Sequence, residues 1–168
     1  ADLFYRKKES YKVAWWLLGG FGLTLFSIRI GGSLISSLFM GTIAIDPFSE
    51  FFKVLILLST TLVVLMSFNS KELKDYRVGE YFSILAIMAF GLFLMASAID
   101  ILMVYVAIEI VSIMSFFLAG YLKKKPESNE ASLKYVIYGA FSSGIMLYGL
   151  SILFGLTGTT KFFEMQTA

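Results

Sequence analysis

From Tyr81 to Leu122 the chain runs for 42 residues in which only Asp100 and Glu109 are charged. One helix of that length would reach about 60 Å, twice the hydrocarbon thickness of a bilayer. Backbone polar groups in lipid must be satisfied within their own segment, so the stretch has to fold back as two helices. Asp100 stands where the turn belongs, which predicts spans over about 81–98 and 101–122. Composition agrees: 58% of residues are hydrophobic and 15% charged, against about half and about a quarter in soluble domains. So few polar residues could not cover so much apolar surface in water.

Three further spans follow from the same reasoning. The first covers about 13–30, with Trp15 and Trp16 near its start as interfacial anchors and Arg29 and Gly31-Gly32 closing it. The second covers 48–68 and begins at Asp46-Pro47, an N-cap followed by proline in the first turn. The last covers 133–156, after Lys123-Lys124-Lys125-Pro126, with Ser128 or Asn129 as the expected cap and Glu130 in the first turn. Between the first two spans, Leu38 to Ile43 reads as a small hairpin or an interfacial segment. The expected fold class is all-α integral membrane: a single domain of about five transmembrane helices.

Eleven cations (Arg6, Lys7, Lys8, Lys12, Lys71, Lys74, Arg77, Lys123, Lys124, Lys125 and Lys134) fall on alternate segments, and three (Arg29, Lys53 and Lys161) on the opposite side. The positive-inside rule then puts the N-terminus and the two basic loops in the cytoplasm. The chain opens Ala1-Asp2-Leu3 without Met or a cleavable leader, which leads us to expect a piece of a longer protein.

The chain has no Cys and no His, and a net charge of only +2. Disulfides, thiolate metal sites, iron–sulfur ligation and histidine-bound haem or zinc are thereby excluded from this chain, and no nucleic-acid surface is indicated. Proton chemistry falls to Glu, Asp, Lys, Tyr and water, and redox chemistry to a partner. Neither a P-loop nor a dinucleotide fingerprint occurs.

Glu109 is the most informative residue, deep in the fourth span between Tyr105-Val-Ala-Ile and Ile110-Val-Ser112. A charged carboxylate at a helix centre costs about 2.5–3.5 kcal/mol on insertion scales, so such groups face a bundle interior or a water path and carry function. The plainer alternative is a neutral Glu acting as glue between helices. Tyr105 and Ser112, at i−4 and i+3, share its face and could line a path beside it. Lys134, early in the last span, heads a stripe continued by Tyr138 and Ser142. By itself it reads as a lysine snorkelling to the interface. Gly139/Ser143 and Ala140/Gly144 form small-xxx-small pairs, which favour close helix packing. Glu50, Lys53 and Asp100 read as near-interfacial, solvated or paired.

The run Asp100-Ile-Leu-Met-Val-Tyr-Val-Ala-Ile-Glu109, then Gly120-Tyr121, Ser128-Asn-Glu-Ala-Ser-Leu-Lys-Tyr135 and Gly139-Ala-Phe-Ser-Ser-Gly-Ile-Met-Leu-Tyr-Gly149 resembles the N-type antiporter-like subunit of proton-pumping NADH–quinone oxidoreductase, respiratory complex I. Asp46-Pro-Phe-Ser-Glu-Phe-Phe-Lys53 fits an earlier helix of that family. The resemblance implies a subunit of about fourteen helices, of which this chain would cover the second to the sixth. It implies proton translocation through intramembrane Glu and Lys, with Glu109 as the family's Glu and Lys134 as a Lys that the N type carries at the start of its sixth helix. It also implies that the chain itself holds no cofactor or metal, and that NADH, FMN, iron–sulfur clusters and quinone belong to partner subunits. The implied partners are other membrane-arm subunits, the M-type antiporter-like one and the small K, A and J types, within a bilayer. The implied location is a bacterial inner membrane, in preference to an organellar or thylakoid one. The alternatives are an Mrp-type cation/proton antiporter subunit and a purely structural membrane-arm module.

Overall fold

The computed structural model describes residues 11–31, 36–68 and 70–167. Among these residues six α-helices follow one another: α1 (Tyr11–Gly31), α2 (Pro47–Ser67), α3 (Val78–Ser97), α4 (Ile101–Ala119), α5 (Pro126–Thr157) and the single turn α6 (Phe162–Met165). A small antiparallel hairpin, β1 (Ser36–Leu38) and β2 (Ile43–Ile45), separates α1 from α2. Among the described residues the fold is all-α apart from that hairpin. Helices α2 to α5 are each long and apolar enough to cross a membrane, and α1 contributes the shorter apolar stretch Lys12–Ile28. Arg6, Lys7, Lys8, Gly32 and Asn69, which bear on the charge balance and the span boundaries, lie outside the described residues.

The helix starts follow from local chemistry. At α2 the Asp46 carboxylate accepts from Ser49 N at 2.7 Å, and Asp46 N donates back to Ser49 Oγ at 3.2 Å, a reciprocal cap with Pro47 in the first turn. At α4, Asp100 accepts from Leu102 N at 2.9 Å and Met103 N at 3.4 Å. Helix α5 departs from expectation. It begins at Pro126, not near Leu133, and runs for 32 residues, about 48 Å, longer than the hydrocarbon core. Neither Ser128 nor Asn129 caps it, because Lys125 occupies that position. Ser128 Oγ donates instead to Ala119 O at 2.7 Å, and Asn129 Nδ2 to Lys123 O at 3.1 Å. They serve carbonyls at and just beyond the end of α4, which has run out of its own donors there.

Helix α3 is the centre of the bundle, packed on α1, α2 and α4, while α5 packs on α4. Close approach of α3 and α4 depends on Gly91, where a Cβ would stand 2.8 Å from Ile110 Cγ2. The core holds Ala14, Val64, Val78, Phe82, Leu85 and Tyr121. Elsewhere the helices turn large apolar side chains outward, such as Trp16, Met66, Phe141 and Leu156, as a bilayer or further protein requires.

Both ends of the bundle are tied. At one, Tyr121 OH donates to Arg77 O at 2.5 Å, Lys124 N donates to Tyr76 OH at 3.1 Å, and Lys125 Nζ donates to Glu72. This joins the two basic loops. At the other, Ile99 N donates to Thr42 O at 3.0 Å, Ile101 N to Thr160 O at 2.9 Å and Phe162 N to Ile99 O at 3.3 Å. Asp100 belongs to this second latch. It is 4% exposed, and its Oδ2 accepts from Thr160 Oγ1 at 2.5 Å. It stands at the end of the bundle and is paired, as a boundary group was expected to be, but it is buried and not solvated.

Candidate functional site

Helix α4 has 19 residues and Glu109 is its ninth, roughly 12–15 Å along the axis from either end. The carboxylate is half-buried and meets α5, where Ser143 Oγ donates to Glu109 Oε1. Ser143 Oγ also lies 3.2 Å from Tyr105 OH. A hydroxyl has one proton to donate. While Ser143 donates to the carboxylate, Tyr105 is the group that donates to Ser143. If Glu109 takes a proton, the chain of bonds can reverse, with Glu109 donating to Ser143 and Ser143 to Tyr105. A row of hydrogen bonds with two allowed polarities can pass a proton along its length.

On the opposite side of Glu109, toward the basic loops, α4 and α5 part into a cleft of about 400 Å³ lined by Glu109, Ser112, Phe116, Ser132 and Gly139, among others. The lining is mostly apolar with a few hydroxyls. Ser132 Oγ is held by Phe116 O at 3.0 Å. Glu109 thus stands between an open cleft and a two-hydroxyl chain. Gly139 makes this arrangement possible, since a Cβ there would run into Cζ of the Phe116 ring. That ring in turn meets Tyr135 edge-on at 4.7 Å.

The structure gathers Glu109, Tyr105 and Ser112 at this place. It does not bring Lys134 or Tyr138 there. Lys134 Nζ pairs with Glu130 on the exposed surface of α5, and Tyr138 is 73% exposed. Lys134 and Ser143 are nine residues apart, about two and a half turns, so they leave the helix on opposite faces. Ser143, the direct partner of Glu109, reads from sequence only as a packing residue. Its signal lies in the Gly139/Ser143 pair, which does face α4. The Ala140/Gly144 pair does not close a contact of that kind, since a Cβ on Gly144 would meet nothing within 4 Å. Among the described residues no group of three or more acidic side chains could hold a metal ion.

Comparison with known proteins gives three findings. Residues 98–168, which contain α4 and α5, match the family described as "NADH:quinone oxidoreductase/Mrp antiporter, TM". The chain is 50% identical over 131 residues to NADH-quinone oxidoreductase subunit N 2 of Chloroherpeton thalassium, covering 76% of this chain and 26% of that protein. It is 46% identical over 169 residues to NADH-quinone oxidoreductase subunit N of an Anaeromyxobacter species, covering 98% and 32%. Among solved structures, a chain of respiratory complex I from Thermus thermophilus with bound aureothin superposes with a TM-score of 0.76 at 27% identity, over 90% of this chain and 33% of that one. A chain of the archaeal membrane-bound sulfane sulfur reductase shares the fold, with a TM-score of 0.73 at 23% identity over 95% and 34%. The chain therefore spans between a quarter and a third of the length of these curated relatives.

Proposed function

Since the chain belongs to the antiporter-like membrane subunits of NADH–quinone oxidoreductase, and among them to the N type, we propose that it forms part of a proton-translocating subunit in which Glu109 takes up and releases the transferred proton. The observation that supports this most is the setting of Glu109: mid-helix, hydrogen-bonded by Ser143, with a cleft on one side and the Ser143–Tyr105 hydroxyls on the other. A carboxylate held there is costly to charge unless water or a donor compensates. Its proton affinity then responds to hydration of the cleft and to nearby charge. Electron transfer elsewhere in the complex would act through those two quantities.

In this reading the chain is a translocase subunit without a redox centre. NADH, FMN, iron–sulfur clusters and quinone are held by partner subunits, and the chain itself packs against other membrane-arm subunits, the M-type antiporter-like one and the small K, A and J types. The chain's own residues hold, orient and pass a proton. Lys134, paired with Glu130 on the exposed face of α5, takes part in that transfer without direct contact with Glu109. The membrane is a bacterial inner membrane, with the basic loops in the cytoplasm. The names of the relatives favour the quinone reductase over an Mrp-type antiporter.

The test is Glu109→Gln in the full-length subunit of the assembled complex. Proton pumping coupled to quinone reduction should fall severely while the amount of complex stays at the wild-type level. Pumping and turnover at wild-type levels would overturn the assignment. Loss of complex with normal turnover per assembled unit would point to a structural module.

A further inference from the structure

A second cleft, of about 290 Å³, opens among α1, α2, α3 and the hairpin, away from Glu109. Its wall is almost wholly apolar, with Phe90, Phe93 and Leu94 of α3 along it, and Phe90 is 56% exposed at the surface of the bundle. Four polar side chains interrupt that wall, Thr24 and Ser27 of α1, Lys53 and Ser97, and the last two are the ones that call for a ligand. Lys53 is half-buried on α2 and, among the described residues, closes no ion pair, although the Glu50 and Asp46 carboxylates attract it from beyond contact distance. Side chains on a helix lean toward its N-terminus, so the Lys53 ammonium rises toward the hairpin end of the bundle. Ser97, the last residue of α3, lies at that same end and is 4% exposed. Its Oγ is the buried side-chain atom that lacks a hydrogen-bond partner among the described residues.

A buried hydroxyl without a partner is costly to leave unmet, and a lysine set in an apolar wall with its carboxylates out of contact favours an anion or water directly upon it. An apolar trough with a cation and an unsatisfied hydroxyl at its interfacial end matches an amphiphile with an anionic head. We propose that this cleft binds an anionic phospholipid, with the phosphate on Lys53 and Ser97 and an acyl chain against Phe90, Phe93 and Leu94. A free phosphate shares the head-group chemistry but has no use for the apolar trough, so the lipid is the occupant argued here. The proposal does not depend on the role given to Glu109.

The test uses the full-length subunit in its complex, in phosphatidylcholine nanodiscs doped with a phosphatidylglycerol that carries a photoactivatable acyl chain. Label should map to the peptide containing Phe90 to Leu94 and be competed by unlabelled phosphatidylglycerol. Lys53→Gln should cut labelling roughly tenfold or more, as loss of a charge-assisted bond implies. Lys53→Arg should keep most of it, and Ser97→Ala should lower it by about threefold. The competition arms use the wild type and do not depend on a variant assembling. Equal competition by phosphatidylcholine would overturn the proposal. Displacement by millimolar inorganic phosphate would make the site one for a soluble anion and overturn it too. Absence of label on the wild-type peptide would show that protein covers the cleft, and the lipid assignment would fall with it.

Discussion

Replacing Asp100 by alanine removes three accepted hydrogen bonds at once: those from Leu102 N and Met103 N, which start α4, and that from Thr160 Oγ1, which ties α4 to the segment after α5. Loss of an N-cap costs about 0.5–2 kcal/mol, and loss of a bond to a charged acceptor about 1.5–3 kcal/mol. The two share one carboxylate at 4% exposure, so they do not simply add, and a total of about 2–3 kcal/mol is expected. Thr160→Val removes only the second bond and should cost about 1–2 kcal/mol. The backbone bonds from Ile101 N to Thr160 O and from Phe162 N to Ile99 O survive both changes. The segment therefore stays in place, and a double-mutant cycle is interpretable. Its coupling energy should be about 1 kcal/mol, read from reversible unfolding of the full-length subunit in mixed micelles. Asp100→Asn should recover most of the capping share, because Asn caps as well as Asp. A cost below about 0.5 kcal/mol for Asp100→Ala, or additivity of the cycle within about 0.3 kcal/mol, would mean that this latch carries no stability.

Four further outcomes are expected. Ser143→Ala leaves Glu109 without its donor at a cost of about 1–3 kcal/mol, and should shift the carboxyl infrared band of Glu109 and slow proton transfer in the assembled complex; an unmoved band would remove Ser143 from the path. Gly139→Ala drives a methyl into the Phe116 ring, which should cost about 1–3 kcal/mol and be relieved by adding Phe116→Leu; a double variant no more stable than Gly139→Ala would show that the ring is not the obstacle. Lys134→Gln, on the far face of α5, should leave the Glu109 band where it is, and a shift as large as that of Ser143→Ala would put Lys134 in the site after all. The hydrogen bond to Glu72 holds the exposed Lys125 ammonium above its ordinary value of 10.5. A raised cation adds stability that is fully present below its unfolded value and lost as pH climbs through the folded one. The gap between wild type and Lys125→Gln should thus be flat across neutral pH and close only in strong alkali, and a gap that closed near neutrality would contradict the pairing.

Hydrophobic length and the break at Asp100 were enough to place α3 and α4 to within a few residues, because the bilayer leaves a 42-residue apolar run few alternatives. The start of α5 was not legible. Its first two turns are polar, and a span read from hydropathy stops where polarity begins, whereas a helix continues until its amides find caps. Ser128 and Asn129 have the residue types of N-caps, but their side chains reach back to Ala119 O and Lys123 O. That choice depends on the end of α4 lying beside them, a tertiary fact. Asp100 shows the same limit: an acid at a helix start is visible, while its bond to Thr160, sixty residues away, is not. At the site, Glu109 announced itself through its cost in lipid, and Tyr105 and Ser112 through helical phase. Ser143 sits on another helix, and its meeting with Glu109 depends on the register of α5 against α4.

That register links the latches to the proposed chemistry. The α4–α5 pair is fixed at one end by Asp100 and Thr160, and at the other by Ser128 and Asn129 reaching to the end of α4. Between these ties the helices touch through Gly139 and Phe116 and part around Glu109. A side chain must be held closely to keep one hydrogen-bonded partner, yet room beside it is needed if water is to reach the carboxylate and leave again. Rigid ends with an open middle meet both needs. Backbone bonds hold the Asp100 end even when its side-chain tie is lost, whereas the Ser128 and Asn129 ties can be altered without touching a titratable group of the path, and a change there should weaken proton transfer by letting α5 slide, so that Ser143 no longer meets Glu109.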